Sequence, residues 1–160
     1  MKIREGLPDD LEQLINFMEL VDQEFVPPLS LRQGGIYGRV SGTLVNVDSN
    51  YLVCESNGKI IGAVGYRKNY NGIEEILGEA YISFIAVHPA CRGQNIGRLL
   101  ERALVQDLCS DGITHINVTT WSTNPDAYHM YRQLGYFVSE TLHDHRGPGV
   151  DTIYFRKSLK

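Results

Sequence analysis

A chain of 160 residues, 42% apolar and 21% charged with a net charge of -4, has the size of one ordinary domain, able to bury a core without disulfide or metal staples. No apolar run approaches the roughly 18 residues of a membrane span, and no basic cluster supplies the electrostatic footprint of a nucleic-acid binder, so a cationic or neutral small partner fits the charge better. Cys54, Cys91 and Cys109 are odd in number and far apart, which excludes a disulfide framework or a CxxC pair; with no signal-peptide pattern behind residues 1–5, the expected location is a reducing cytoplasm.

Residues 2–5 alternate as a strand does, and Pro8 with Asp9 and Asp10 then marks a helix start with acidic groups at the positive end of the dipole. Leu11, Leu14, Ile15 and Met18 continue at helical spacing. Residues 25–42 hold two prolines and four glycines, and are expected to form a loop with at most a short helix inside it. Residues 51–55 and 59–66 are β-rich runs joined through Ser56-Asn57-Gly58, a tight-hairpin signal because Asn and Gly both accept positive φ. Residues 79–88 form a strand whose apolar end, Phe84-Ile85-Ala86-Val87, predicts burial on both faces. Ile96, Leu99, Leu100, Ala103, Leu104 and Leu108 line one face of a following helix that stops at Gly112. A strand over 113–120 comes next, then a short helix over 125–134 with Asn124 as N-cap, Pro125 at its first position and Gly135 as its stop. Strands over 137–142 and 152–159 close a single domain spanning 1–160. The expected architecture is a mixed α/β domain of about seven strands and three or four helices.

The segment Ile85-Ala86-Val87-His88-Pro89-Ala90-Cys91-Arg92-Gly93-Gln94-Asn95-Ile96-Gly97-Arg98 runs from a strand through a small-residue loop into a helix N-terminus. Unpaired N–H groups and the positive dipole end there favour a phosphate, and glycine lets the main chain approach it. The residues alone leave nucleotides, coenzyme A and a plain turn open, although the spacing is neither Walker A nor GxGxxG.

The loop resembles the pyrophosphate-binding loop of the GNAT acetyltransferases, whose pattern runs from Arg or Gln through Gly-x-Gly or Ala. Arg92, Ile96 and Gly97 match; Asn95 stands where glycine is usual, and asparagine tolerates left-handed backbone. Downstream, Asn124-Pro125-Asp126-Ala127-Tyr128-His129-Met130-Tyr131-Arg132-Gln133-Leu134-Gly135-Tyr136 is similar to the second GNAT signature at every keyed position. The resemblance covers about residues 51–159. It implies a GNAT-like, mostly antiparallel twisted sheet and transfer of an acetyl group from acetyl-CoA to a primary amine of a small molecule or peptide. Cofactor contacts are implied at Ile85, Ala86, Val87, Arg92, Gly93, Gln94, Asn95, Ile96, Gly97, Arg98, Asn124 and Tyr131. A non-catalytic acyl-CoA-binding or sensing module is the alternative, and a homodimer is left open.

The chemistry asks for a neutral amine, an oxyanion donor and a proton for the departing thiolate. The resemblance implies a main-chain N–H near Val87 as donor, and Tyr131 as acid, since a phenol near pKa 10 stays protonated beside a thiol near 8.5. An alkyl amine near 10.4 must also lose a proton. Some GNAT enzymes carry a carboxylate where this chain has Tyr81. Glu79, on the same strand face, is the candidate base through a bridging water, against a reading as an exposed strand-end glutamate; Glu24 is a reserve. His143 and His145 have an HxH spacing but no third ligand placed by sequence, so no metal is expected. His88 reads as a turn residue. Cys91 beside Arg92 is a less favoured nucleophile, because direct attack needs no acyl-enzyme.

Overall fold

The computed structural model describes residues 1–159. Seven strands, β1 (Lys2–Glu5), β2 (Ser49–Ser56), β3 (Lys59–Tyr70), β4 (Glu75–Val87), β5 (His115–Trp121), β6 (Phe137–Leu142) and β7 (Thr152–Ser158), form a sheet in the order β1-β2-β3-β4-β5-β7-β6. Four α-helices accompany them among the described residues: α1 (Leu11–Val21), α2 (Gly35–Val45), α3 (Ile96–Ser110) and α4 (Pro125–Gln133). β1–β2, β2–β3, β5–β7 and β6–β7 pair antiparallel, whereas β4 and β5 are parallel. A parallel pair needs a long crossover, and α3 lies in it. The expected mixed, mostly antiparallel architecture is thus the observed one.

Local chemistry explains most of the boundaries. Asn57 (φ 52°) and Gly58 (φ 76°) make the β2–β3 hairpin turn. Asn124 Oδ1 accepts from the Ala127 N–H at 3.3 Å to open α4. Gly112 (φ 78°) and Gly135 (φ 94°) follow α3 and α4 in left-handed conformation, as C-terminal stops do. The glycine-rich segment departs from expectation, because α2 is a full 11-residue helix. Its Ile36 and Val40 are buried at i, i+4 spacing and Leu44 packs beside them; that stripe outweighs an interior glycine cost of about 1 kcal/mol each.

The chain divides into two compact units, Met1–Arg67 with Phe84–Leu104, and Lys68–Ser83 with Val105–Lys160. The first has a core built from α1 (Leu14, Phe17, Met18, Val21), α2 (Ile36, Val40), the hairpin (Tyr51, Val53, Ile60, Ala63) and Phe84. Its edge is braced by Arg4, which donates to Asp10 at 2.8 and 3.0 Å and to Glu55 at 2.6 Å. Asp10 also accepts from the Leu7 N–H at 2.8 Å, which closes the 3-10 turn (Pro8–Asp10) leading into α1. The second unit buries Ile82, Ile116, Val118 and Phe155 of the sheet with Leu108, Tyr131 and Tyr136.

Candidate active site

In the first unit, β4 leads through a 3-10 turn (Pro89–Cys91) into exposed Arg92, Gly93, Gln94 and Asn95, and then into α3. Gly93 (φ 81°) and Asn95 (φ 62°) are both left-handed, so asparagine makes here the kind of turn that glycine makes freely. A Cβ on Gly93 would meet nothing within 4 Å, which leaves open space over the loop. The first-turn N–H groups of a 15-residue helix point out of its end. Such a loop fits a phosphate-bearing group, with Arg92 and the main chain of residues 93–98 as its holders. Gly62 of β3 fixes the helix start close to the sheet: a Cβ there would stand 2.9 Å from Ile96 Cγ2 and 3.2 Å from Leu100 Cδ1. An isolated glycine in a strand was the available signal for that close approach. Arg92 donates to Val87 O at 3.1 Å and to Glu24 Oε1 at 2.6 Å. Glu24, the reserve base, is therefore an ion-pair partner of the loop arginine.

In the second unit, Tyr131 is 2% exposed. Its ring packs with Tyr136 (centroids 5.3 Å) and Phe155 (5.6 Å), while Tyr128 meets Phe155 at 5.3 Å. The helix carrying the second signature is thereby seated on the apolar side of β7.

The other side of the same strands is polar. Register places Asn117 opposite both Tyr81 and Arg156, Thr119 opposite Tyr154, and Trp121 opposite Thr152. Glu79 belongs to this face, and it is 7% exposed; the reading as an exposed strand-end residue is corrected. Both of its carboxylate oxygens accept from the Arg156 guanidinium, one of them from Nη2 at 3.1 Å, and Asn117 Nδ2 donates at 3.0 Å. Burial alone would raise the Glu79 carboxyl, but the hydrogen bonds from Arg156 and Asn117 outweigh it and hold it below the ordinary glutamate value. Tyr81 Oη lies 3.0 Å from Thr119 Oγ1, which also accepts from Arg146 Nη2 at 3.2 Å. The Tyr81 ring stands edge-on to Tyr70 at 5.8 Å. Gly72 permits that, since a Cβ there would come within 2.6 Å of the ring.

The structure thus gathers Arg92, Gly93, Gln94, Asn95, Ile96, Gly97 and Arg98 at one helix start beside Ile85, Ala86 and Val87 of β4, and places Asn124 and Tyr131 on α4. It does not bring Glu79 to Tyr131, because Tyr131 packs on Phe155 whereas Arg156, the partner of Glu79, faces the other side. His143 Nδ1 lies 3.2 Å from Asp151 and His145 Nδ1 2.8 Å from Thr152 Oγ1. His88 Nδ1 accepts from Ala90 N at 3.0 Å inside its turn. Arg146, Arg156, Thr119 and Asn117 escaped the sequence reading. For Asn117 and Thr119 the signal was the alternation of polar 115, 117 and 119 with apolar 116 and 118.

A mostly antiparallel sheet of this order, with β4 and β5 parallel and a loop-to-helix start after β4, defines the acyl-CoA acyltransferase class of folds. An aminoglycoside 6'-N-acetyltransferase solved with coenzyme A superposes with a TM-score of 0.81 over 100% of this chain and 98% of that one at 19% identity. The chain belongs to the acetyltransferase (GNAT) family, whose profile matches residues 15–136. Two curated relatives share parts of it. The mycothiol acetyltransferase of Gordonia bronchialis is 38% identical over 60 residues, 38% of this chain and 19% of that protein. A Bacillus subtilis (strain 168) protein provisionally named ribosomal protein bS18-alanine N-acetyltransferase is 31% identical over 93 residues. That match spans 58% of this chain and 56% of the relative. The family resemblance read from the two motifs is therefore correct, and no helix among the described residues is long and apolar enough to cross a membrane.

Proposed function

We propose that this chain transfers an acetyl group from acetyl-CoA to a primary amine by direct attack. The observation carrying this reading is the exposed Arg92–Asn95 turn, left-handed at Gly93 and Asn95 and opening onto the first turn of α3, in a chain of the GNAT family. In this reading the pyrophosphate sits on those N–H groups and on Arg92, with Gln94 and Arg98 at its margin. Residues 85–87 of β4 offer main-chain groups to the pantetheine as an added strand would, and an N–H near Val87 receives the charge developing on the thioester oxygen. Asn124 adds a second contact.

Tyr131 supplies the proton for the departing sulfur. Glu79 is assigned a positioning role instead of that of a base: its carboxylate is committed to Arg156 and Asn117, and a carboxyl held below its ordinary value is a weaker proton acceptor. Amines are the class of acceptor, as the names of the relatives, with a ribosomal-protein alanine and an aminoglycoside, support. The test is direct. Coenzyme A should raise the melting temperature by mass action, and acetyl-CoA with a panel of amines should release free thiol. Absence of a thermal shift at millimolar coenzyme A would sink the reading.

A further inference from the structure

Within the first unit, one guanidinium bridges the end of β4 and the segment that follows α1. Arg92 donates through Nε to Val87 O at 3.1 Å and through Nη2 to Glu24 Oε1 at 2.6 Å. The Glu24 carboxylate therefore stands one guanidinium away from the strand end along which the thioester is proposed to lie. The backbone that carries it is held by contacts other than this ion pair. Glu24 ends the 3-10 turn Asp22–Glu24, and a different anchor fastens each side of it. Before it, Asp22 is 8% exposed and accepts from the Ser30 N–H at 2.8 Å and the Ser30 hydroxyl at 2.6 Å. After it, the Phe25 ring stacks on Phe84 of β4, with centroids 5.5 Å apart and planes 16° apart, and Phe17 meets Phe84 edge-on at 6.3 Å. Phe84 immediately precedes residues 85–87, so the Phe25 stack ties the turn to the strand beside which the donor would lie.

The inference rests on the acetyl-transfer reading above, in which the pyrophosphate takes the Arg92 guanidinium. A pyrophosphate brings more negative charge to that fork than one half-exposed carboxylate does. Glu24 then loses its cation while its backbone stays anchored next to Val87. An alkyl amine, with a pKa of about 10.4, arrives as a cation at neutral pH and restores the pair. We propose that Glu24 is an acceptor-binding residue, whose carboxylate passes from Arg92 to the ammonium group of the acceptor when the cofactor occupies the loop. Solvent reaches this carboxylate, and it takes up the proton that the ammonium must lose before its nitrogen lone pair attacks the thioester carbon.

The test reads two quantities in each preparation of the unaltered chain, Glu24→Gln and Glu24→Asp. One is the coenzyme A dissociation constant, by calorimetry at low salt. The other is the pair kcat and KM for alkylamines, amino-acid amides and short peptides with a free N-terminus, at saturating acetyl-CoA. Glu24→Gln should tighten coenzyme A about two- to fivefold, because Arg92 is released. It should raise the acceptor KM about fivefold or more with kcat little changed, and Glu24→Asp should lie between. Opposite effects of one substitution on the two ligands are the signature, since a merely structural residue would weaken both. The proposal is overturned by an acceptor KM in Glu24→Gln within about twofold of the unaltered value, or by a loss carried by kcat alone. A parallel loss for both ligands in Glu24→Gln and Glu24→Asp alike also overturns it, as does coenzyme A binding with no amine of the panel acetylated. No thermal shift and no thiol release from any amine would instead bring down the acetyl-transfer reading, and this inference with it.

Discussion

Replacing Glu79 by Gln separates an anchor from a base. The carboxylate is 7% exposed and accepts from Arg156 and Asn117. Gln keeps the shape and one acceptor oxygen but removes the charge and turns an NH2 toward the guanidinium. Hydrogen bonds to charged groups contribute about 1.5–3 kcal/mol, and the exposed flank of Arg156 moderates the loss, so about 1–3 kcal/mol is expected. For a chain of this size that lowers Tm by roughly 2–12 °C. The pH dependence has a definite sign. Glu79 is depressed in the folded protein, so its contribution is complete above the unfolded value of about 4.3 and disappears as pH falls through the lower folded value. The Tm gap between the unaltered chain and Glu79→Gln should be full at pH 7 and close under acid. Turnover at pH 7–8 should change by less than about threefold, with the pH–rate limb retained. A hundredfold fall in kcat with an unchanged Tm would refute the anchor and restore Glu79 as the base.

Tyr131→Phe should leave coenzyme A affinity unaltered and lower single-turnover acetyl transfer about ten- to a thousandfold; an unchanged single-turnover rate would reduce Tyr131 to its aromatic packing. Glu24→Gln removes a carboxylate 2.6 Å from Arg92, both groups about half exposed, so the coenzyme A dissociation constant measured by calorimetry should fall about two- to fivefold at low salt, less at high salt. Gly62→Ala forces a Cβ against Ile96 and Leu100; overpacking of about 1–3 kcal/mol should appear as a lower Tm together with weaker coenzyme A binding. Asn95→Gly relieves a left-handed asparagine and should keep or improve coenzyme A affinity; a large loss would mean that the Asn95 side chain itself holds the ligand.

The parts of this fold that could be read from sequence are those in which a few neighbouring residues settle the backbone. Asn57-Gly58 makes its turn with no help from afar, and Asn124 with Pro125 caps α4 locally. α2 could not be read that way. Its glycines argue against a helix residue by residue, and only the burial of Ile36 and Val40 against α1 and the hairpin reverses that. The loop before α3 was legible because a strand, small residues and a helix start are contiguous. The polar face was not, since Asn117 meets Glu79 across 38 residues and Arg156 meets it across 77. Only the β4–β5 and β5–β7 registers create that group.

Those registers also divide the chemistry. Along β7, Phe155 turns toward Tyr131 while Tyr154 and Arg156 turn toward the Tyr81 and Glu79 side. In the proposed reading, the proton donor for sulfur thus lies on the opposite face of β7 from the polar group around Glu79. The acid then needs no contact with whatever binds the acceptor. Changes at Tyr131 should accordingly slow all acceptors by a similar factor.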